Sequence, residues 1–484
     1  MELAELALGK LRGVRTREVT AWLGVPYAKP PLGALRLRAP QPPEPWTGER
    51  PATQFAAAAP QLNSQSPVAE PMVKRVGVSE DCLYLNVWSP APDGARRPVL
   101  VWIHGGGFMM GTGATYDGAE LAALGDLVVV TINYRLGALG FAAFGGIFGD
   151  RFDDNCGLRD QLAALRWVRD HIAAFGGDPD RVTVAGESAG SISLSLLMML
   201  PEARPLFRGA IAQSGSISLA ASQARGHELA HLYAGALGIT AATAERLREL
   251  PIERFTEAHE AVMRSTPGTL PSRPYLDGKL LPETSRALFA TASASVPLLL
   301  GSNHDEATLF ALLRILPVER SELEPMLRGR LPAAVADRLL AEYPADRAGS
   351  LLLSRDAIFT MPMIHFADRH RTHAPTWMYR FDWPTPAFGG HLGAMHALEL
   401  FLMWMDPDKR GVQMVLGGPP SLPVRALAAR MKQHWIRFVR DLDPGWPAYG
   451  AARTTKIFHL TDHLEDDPEG ARRLAWDGLD DLEA

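Results

Sequence analysis

Two short stretches carry the residue types best suited to chemistry. In AGESAGS (185–191), Ser188 stands between Gly186 and Gly190, with Glu187 beside it. A Gly-x-Ser-x-Gly pattern between a strand and a helix makes a turn sharp enough to lift a serine hydroxyl above the sheet edge. Side chains at the two flanking positions would collide across such a turn, and glycines carry none. In WIHGGGFMMGTG (102–113), three glycines directly follow a strand. They leave backbone N–H groups free to meet an oxyanion, the charge that builds during acyl transfer. Such a loop works with the N–H of the residue after the nucleophile, which assigns Gly106, Gly107 and Ala189 as donors. Gly105 and Gly111 are left to shape the loop. The phosphate-loop pattern Gly-x-x-x-x-Gly-Lys-Ser/Thr is absent.

A serine hydroxyl needs a base, and the base needs an orienting carboxylate. On a serine elbow of this kind the chain order is nucleophile, acid, histidine. Downstream, VPLLLGS (296–302) runs into NHDEATLF (303–310), which offers Asp305 and Glu306 just past a strand end. Further on, HLGAMHALELF (391–401) offers His391 and His396. Spacing does not choose within either pair.

These groups must be held by a scaffold, and the sequence alternates strands with helices. PVLVWIH (98–104), LVVVTIN (127–133), RVTVAG (181–186), RGAIAQS (208–214), VPLLLGS and TWMYRFD (376–382) are rich in β-branched and apolar residues. Strands without polar alternation are buried on both faces, which predicts an α/β protein with a mainly parallel central sheet. Between strands, Leu158, Leu162, Leu165, Val168 and Ile172 recur at helical spacing over 157–176. Further helices are expected at 188–200 and 423–441. The acidic tail after 460, with EDDPEG and DGLDDLEA, reads as a solvated surface segment.

The 484 residues are 47% hydrophobic, enough for a large core. A formal charge of −5 and the lack of any Lys/Arg block argue against a nucleic-acid surface. The N-terminus has no charged lead followed by an apolar run, so no signal peptide is expected. No run reaches the ~18 apolar residues of a membrane span. The two cysteines, Cys82 and Cys156, read as reduced, buried thiols of a cytoplasmic protein. No cluster has metal-ligand spacing, and no metal or other cofactor is implied.

An ordered series of motifs goes further. WLGVPYAKPPLGALRLRAP (22–40), SEDCLYLNVWSP (79–90), WIHGGGF, NYRLGALGF (133–141) and NCGLRDQLAALRWV (155–168) are followed by FGGDPDRVTVAGESAGS (175–191) and IAQSGS (211–216). SNHDEATLF, GAMHALELF and DPGWPAY (443–449) complete it. The series resembles the type-B carboxylesterases, the family of bacterial para-nitrobenzyl-type esterases, liver carboxylesterases and cholinesterases. The resemblance spans the chain, less clearly over 220–295 and 310–375. It implies an α/β-hydrolase fold: one domain over 1–484, with about a dozen strands flanked by helices, and helical insertions that form a gorge. By matching position it puts the acid on Glu306 and the base on His396. Glu187 and Ser214 take supporting places beside them, and Arg36 pairs with Glu80. Exported members usually pair the Cys82 position with an upstream cysteine, which this chain lacks. Met72 stands where cholinesterases carry a choline-binding tryptophan, against choline esters.

The implied activity is that of a serine carboxylesterase on neutral, moderately apolar esters with short to medium or aromatic groups. Phe108, Met109, Phe359, Phe401 and Met403 are candidates for the pocket wall. Alternatives are an amidase or carbamate hydrolase with the same three residues, a non-catalytic recognition homologue, and a relative of the hormone-sensitive lipases that would use Asp305. The expected partner is a small-molecule ester, with no nucleic acid and no membrane. A monomer or weak homo-oligomer is expected.

Overall fold

A computed structural model describes residues 2–479 apart from 17, 63–68 and 291–294, without the side chains of 218, 289 and 290; residues 480–484 of the acidic tail lie outside it. The described strands are β1 (Leu3–Leu6), β2 (Gly9–Arg12), β3 (Val14–Arg15), β4 (Thr20–Pro26), β5 (Glu49–Pro51), β6 (Tyr84–Ser89) and β7 (Arg97–Ile103), then β8 (Val128–Ile132), β9 (Gly177–Glu187), β10 (Gly209–Gln213), β11 (Leu298–Asn303), β12 (Thr376–Phe381), β13 (Thr454–Phe458) and β14 (His463–Asp466). Strands β1, β2 and β5 form a small separate sheet. The rest form one eleven-stranded sheet in the order β14-β13-β12-β11-β10-β9-β7-β8-β6-β4-β3. Its middle, from β13 through to β8, is parallel. Its two edges are antiparallel.

The six apolar runs of the sequence become β7 to β12. They are mainly apolar because each face of the sheet meets its own core. Val99, Val101, Ile103, Val182, Val184, Leu298 and Leu300 face one core. Leu100, Trp102, Val129, Ile211 and Leu299 face the other. The helix Cys156–His171 covers the first through Leu158, Leu162, Leu165 and Val168. The helix Leu422–Asp441 covers the second through Leu427, Met431, Trp435 and Phe438. Arg36 pairs with Glu80, Nε to Oε2 at 2.7 Å, and its Nη1 donates to the Leu250 carbonyl.

The tail departs from its expected solvated state. The helix Gly470–Trp476 buries Ala475 and Trp476, and Trp476 Nε1 donates to the Tyr343 hydroxyl at 2.7 Å. Glu469 is buried in an ion cluster. Arg380 reaches it at 2.8 Å and Arg355 at 3.1 Å. Arg355 and Arg472 also hold Asp356, at 2.6 and 2.7 Å. The acids of the tail draw the eye in the sequence, but the arginines interleaved with them and the apolar Ala475–Trp476 pair fix its place.

The loops that matter below all leave the carboxyl ends of parallel strands, where open α/β sheets bind ligands. They follow β7, β9, β10, β11 and β12.

Candidate active site

Strand β9 ends at Glu187 and the helix Ala189–Leu197 starts two residues later. Ser188 between them has φ 53° and ψ −120°, a backbone that non-glycine residues adopt only under constraint. The constraint is visible. A Cβ at Gly190 would lie 2.0 Å from the Ile103 carbonyl oxygen, and one at Gly186 would lie 2.5 Å from the Gly190 carbonyl carbon. The helix thus packs on β7 and on its own strand at a distance only glycine allows. From the neighbouring strand, the Gln213 carbonyl accepts the Ser188 N–H at 2.8 Å.

Glu306, the first residue of the helix Glu306–Leu313, is fully buried. Its Oε2 lies 2.5 Å from His396 Nδ1. Its Oε1 accepts from Ser214 Oγ at 2.6 Å and from the Asn303 N–H at 2.7 Å. With both oxygens occupied, the carboxylate can turn only by giving up a bond. The neighbouring candidates fall elsewhere. Asp305 exchanges two hydrogen bonds with Ala394, one through its backbone and one through Oδ2, and so pins the loop that leads to His396. His391 is exposed. The other imidazole nitrogen, His396 Nε2, faces Glu187 Oε1 at 3.1 Å. Among the described residues no hydrogen bond joins Ser188 Oγ to that imidazole; such bonds commonly tighten only around a substrate.

Three buried carboxyl groups surround this histidine. Burial pushes the Glu187 carboxyl well above its usual range; His396 opposes the shift, and Glu399 and Glu306 add to it. Glu399 is also pushed up by burial, although Asn303 Nδ2 at 2.6 Å and Gln213 Nε2 at 3.1 Å both donate to it. Burial alone would lower His396, but the charges of Glu187 and Glu306 outweigh it and raise its affinity for a proton. An imidazole so placed takes up a proton readily.

The glycine loop after β7 packs against the elbow: a Cβ at Gly105 would meet Glu187 Oε2 at 2.5 Å and Ser188 Cβ at 3.1 Å. Gly106 and Gly107 have φ of 110° and 62°. The Gly106 carbonyl accepts from the N–H groups of Met109 and Met110, which curls the loop. Among the described residues, the N–H groups of Gly106 and Gly107 donate to no protein acceptor. Ala189 opens a helix, where the N–H has no intrahelical partner. All three residues line the cavity shared by Ser188 and His396.

Residues 2–467 match the carboxylesterase family. The chain belongs to that family. It is 37% identical over 478 residues to the para-nitrobenzyl esterase of Bacillus subtilis, covering 96% of each chain. It is 34% identical to a phenmedipham hydrolase of Pseudarthrobacter oxydans, covering 93% of each. A solved thermophilic PNB esterase matches with a TM-score of 0.90 at 35% identity, over 98% of this chain and 99% of that one. A solved carboxylesterase of Geobacillus stearothermophilus matches with a TM-score of 0.85 at 38% identity, over the same shares. The fold is that of the α/β-hydrolases, and the protein is a carboxylic ester hydrolase.

The cavity of this carboxylesterase measures about 1320 Å³. Met109, Phe359 and Phe401 line it. Phe108 does not. Its ring is fully buried beneath the loop, 4.8 Å from that of Phe141. Met403 likewise packs into the core around β7 and the helix Leu422–Asp441. Both residues fill space behind the wall rather than forming it. Two residues were missed. Phe310 packs at a tilt against His396, with ring centroids 4.8 Å apart, and stacks on Phe359 at 5.5 Å; it lies four residues past Glu306, on the same helix face. Glu399 lies three residues past His396, a spacing that could have flagged it.

Proposed function

We propose that this carboxylesterase hydrolyses esters through an acyl-enzyme on Ser188, with His396 as base and Glu306 as its orienting acid. The observation that carries this reading is the 2.5 Å contact between Glu306 and His396, set beside a strained serine at a strand end. His396 takes the serine proton as Oγ attacks the ester carbonyl. Glu306 holds the imidazole and stabilises its cation. The N–H groups of Gly106, Gly107 and Ala189 receive the oxyanion, each worth about 3 kcal/mol in the barrier. His396 then protonates the departing alcohol, and water releases the acid. Glu187 and Ser214 support the pair from either side. The apolar wall, with Met109, Phe359 and Phe401, suits neutral, moderately apolar esters of short to medium chain, and aromatic esters as the para-nitrobenzyl esterase relative is named for.

Residues 1–484 are read as one hydrolase domain, because segments from 104 to 396 converge on this site. We further take the protein to be cytoplasmic and a monomer or weak homo-oligomer; the free, buried Cys82 and Cys156 suit a reducing compartment. Among the described residues no helix is long and apolar enough to cross a membrane.

The test is a burst assay with para-nitrophenyl butyrate, with and without a serine-reactive organophosphonate, and mass mapping of the adduct. Stoichiometric labelling of Ser188 with loss of turnover is expected. Ser188→Ala should lower kcat by about 10⁴-fold or more while the unfolding midpoint holds. Near-normal turnover in that variant would sink the assignment.

A further inference from the structure

Donors for an oxyanion act best when they are fixed before the charge develops. In the glycine loop they are fixed through the carbonyls beside them. The Tyr134 hydroxyl donates to the His104 carbonyl at 2.8 Å, and the two rings stack with centroids 4.5 Å apart. His104 Nδ1 lies 2.8 Å from the Gly105 carbonyl oxygen. A carbonyl only accepts, so this nitrogen carries the proton. The Gly105 carbonyl and the Gly106 N–H belong to one planar trans peptide and point opposite ways. Holding the first therefore aims the second. The far end of the loop has an anchor of another kind. The Gly111 N–H donates to Gln61 Oε1 at 2.9 Å, and the Gly111 carbonyl accepts from Gln61 Nε2 at 3.0 Å. One side-chain amide thus pairs with both backbone groups of a single residue, as a neighbouring strand would, from 50 positions upstream.

Gly111 touches the groups that orient the donor. Its φ is 120°. A Cβ there would lie 2.4 Å from His104 Nδ1 and 2.7 Å from the Gly105 carbonyl oxygen, so this backbone rests directly on the ring and the carbonyl. Gln61 in turn stands on a fixed base. Its Nε2 also donates to the Ala59 carbonyl at 3.0 Å. Ala58 donates to the Gly77 carbonyl and accepts from the Ser79 N–H, both at 2.9 Å. Asn133 ties the same two segments together: its Nδ2 donates to the Ala57 carbonyl at 3.1 Å, and its Oδ1 accepts from the Gly113 N–H at 2.8 Å. Two amides thus staple 57–61 to 111–113. The chemistry at 61 calls for glutamine. Nε2 uses both hydrogens on two carbonyls, and Oε1 takes one N–H. A glutamate would set a charged oxygen against those carbonyls, and an asparagine would be one methylene short.

We propose that Gln61 is a positioning residue for ester hydrolysis: by clamping Gly111 it sets the His104 ring and the Gly105–Gly106 peptide, and so aims the Gly106 N–H at the oxyanion. The inference rests on the Ser188 reading, since addition of Ser188 creates the charged oxygen that this N–H receives. Gln61 touches no reacting atom, and no bond to it forms or breaks. Its effect is confined to states in which the carbonyl oxygen carries charge.

The experiment compares two inhibitors, 1,1,1-trifluoro-4-phenylbutan-2-one and 4-phenylbutan-2-one, on the wild type and on Gln61→Met. Methionine keeps the length of the side chain and loses its hydrogen bonds. Ser188 Oγ adds to the trifluoromethyl ketone, its proton passes to His396, and the carbonyl oxygen becomes the anion. The methyl ketone occupies the site without adding. In Gln61→Met the inhibition constant of the trifluoromethyl ketone should rise about tenfold, while that of the methyl ketone stays within about twofold. With para-nitrophenyl butyrate, kcat should fall about tenfold and KM stay within about twofold. Should Gln61→Met fold poorly, Gln61→Glu gives the same reading, because it keeps the acceptor for the Gly111 N–H and loses the donor. Equal weakening of the two ketones, or a trifluoromethyl ketone bound as tightly as in the wild type, overturns the positioning role. Fluorine-19 NMR separates this inference from the Ser188 reading. A hemiketal signal in the wild type that is absent in Ser188→Ala supports the serine chemistry, and with that signal present an unmoved inhibition constant sinks Gln61 alone. No hemiketal in the wild type would sink both.

Discussion

Glu187 Oε1 stands 3.1 Å from the imidazole nitrogen that, in the proposed mechanism, accepts the serine proton, which ties it to the pH response of the site. A negative charge there favours the protonated imidazole and so raises the pH at which the base becomes available. Activity needs the neutral base, so kcat/KM rises as pH climbs through the His396 transition. Removing the carboxylate lowers that transition. Glu187→Gln should therefore move the acidic limb of the kcat/KM profile to lower pH, by about one unit. A limb that stays put or moves upward would show that Glu187 is already neutral there. Residues also mark the limit of what the sequence could say. Types and spacing singled out Ser188 and the glycine loop. They left Asp305 against Glu306 and His391 against His396 open, because the choice depends on which member of each pair faces the other. The motif series chose Glu306 and His396. In the fold Asp305 turns to Ala394 instead, a contact across 89 positions that no local pattern encodes.

Elements show the same division. Strands β7 to β12 were legible because burial on both faces leaves runs dominated by apolar residues. The edge strands β3, β4, β6 and β14 pair antiparallel and carry mixed residues, so their strand character depends on distant partners. Phe108 was misjudged because position after a glycine loop does not tell which way a ring turns. Helix placement also rests on one buried ion pair. Arg135, in the loop after β8, meets Asp160 in the helix Cys156–His171 through Nε at 2.8 Å and Nη2 at 2.6 Å, while its N–H reaches the same carboxylate at 3.1 Å. Both side chains are nearly inaccessible. Breaking one half leaves the other charge buried, so Asp160→Ala should cost about 3–5 kcal/mol. Urea titration of the variant reads it directly, and a loss below about 1 kcal/mol would mean that water reaches Arg135.

For the molecule as a whole, acid stability is a balance of opposing groups. Burial holds His104 and His259 down to about 4. His259 is enclosed by the Tyr233 hydroxyl at 2.5 Å and by Ser272. A histidine whose folded value lies below its unfolded one stabilises the fold above about 6.5, and that contribution is lost as pH falls toward 4. Glu187 and Glu399, raised in the fold, act in the opposite sense, because they hold protons that the unfolded chain releases. A single melting curve mixes the two. The difference between wild type and His259→Gln does not, since the carboxyl groups are common to both. That difference should shift by about 3 kcal/mol toward the variant between pH 7 and pH 4. A gap that is the same at both ends would mean that His259 is protonated within the fold.

The ion cluster around Asp356 and Glu469 bears on how the protein is born. Synthesis runs from the amino end, and domains gain structure as they emerge. Ser188, Glu306 and His396 all leave the ribosome well before Glu469, Arg472 and Trp476. Yet Asp356 opens the π-helical turn Asp356–Thr360, whose Phe359 packs 5.1 Å from the His396 ring, and Arg355 beside it donates to the His304 carbonyl, two residues before Glu306. This clasp behind Phe359 and His304 thus arrives after them. A nascent chain stalled short of Glu469 would hold the proposed reacting groups and still lack this clasp.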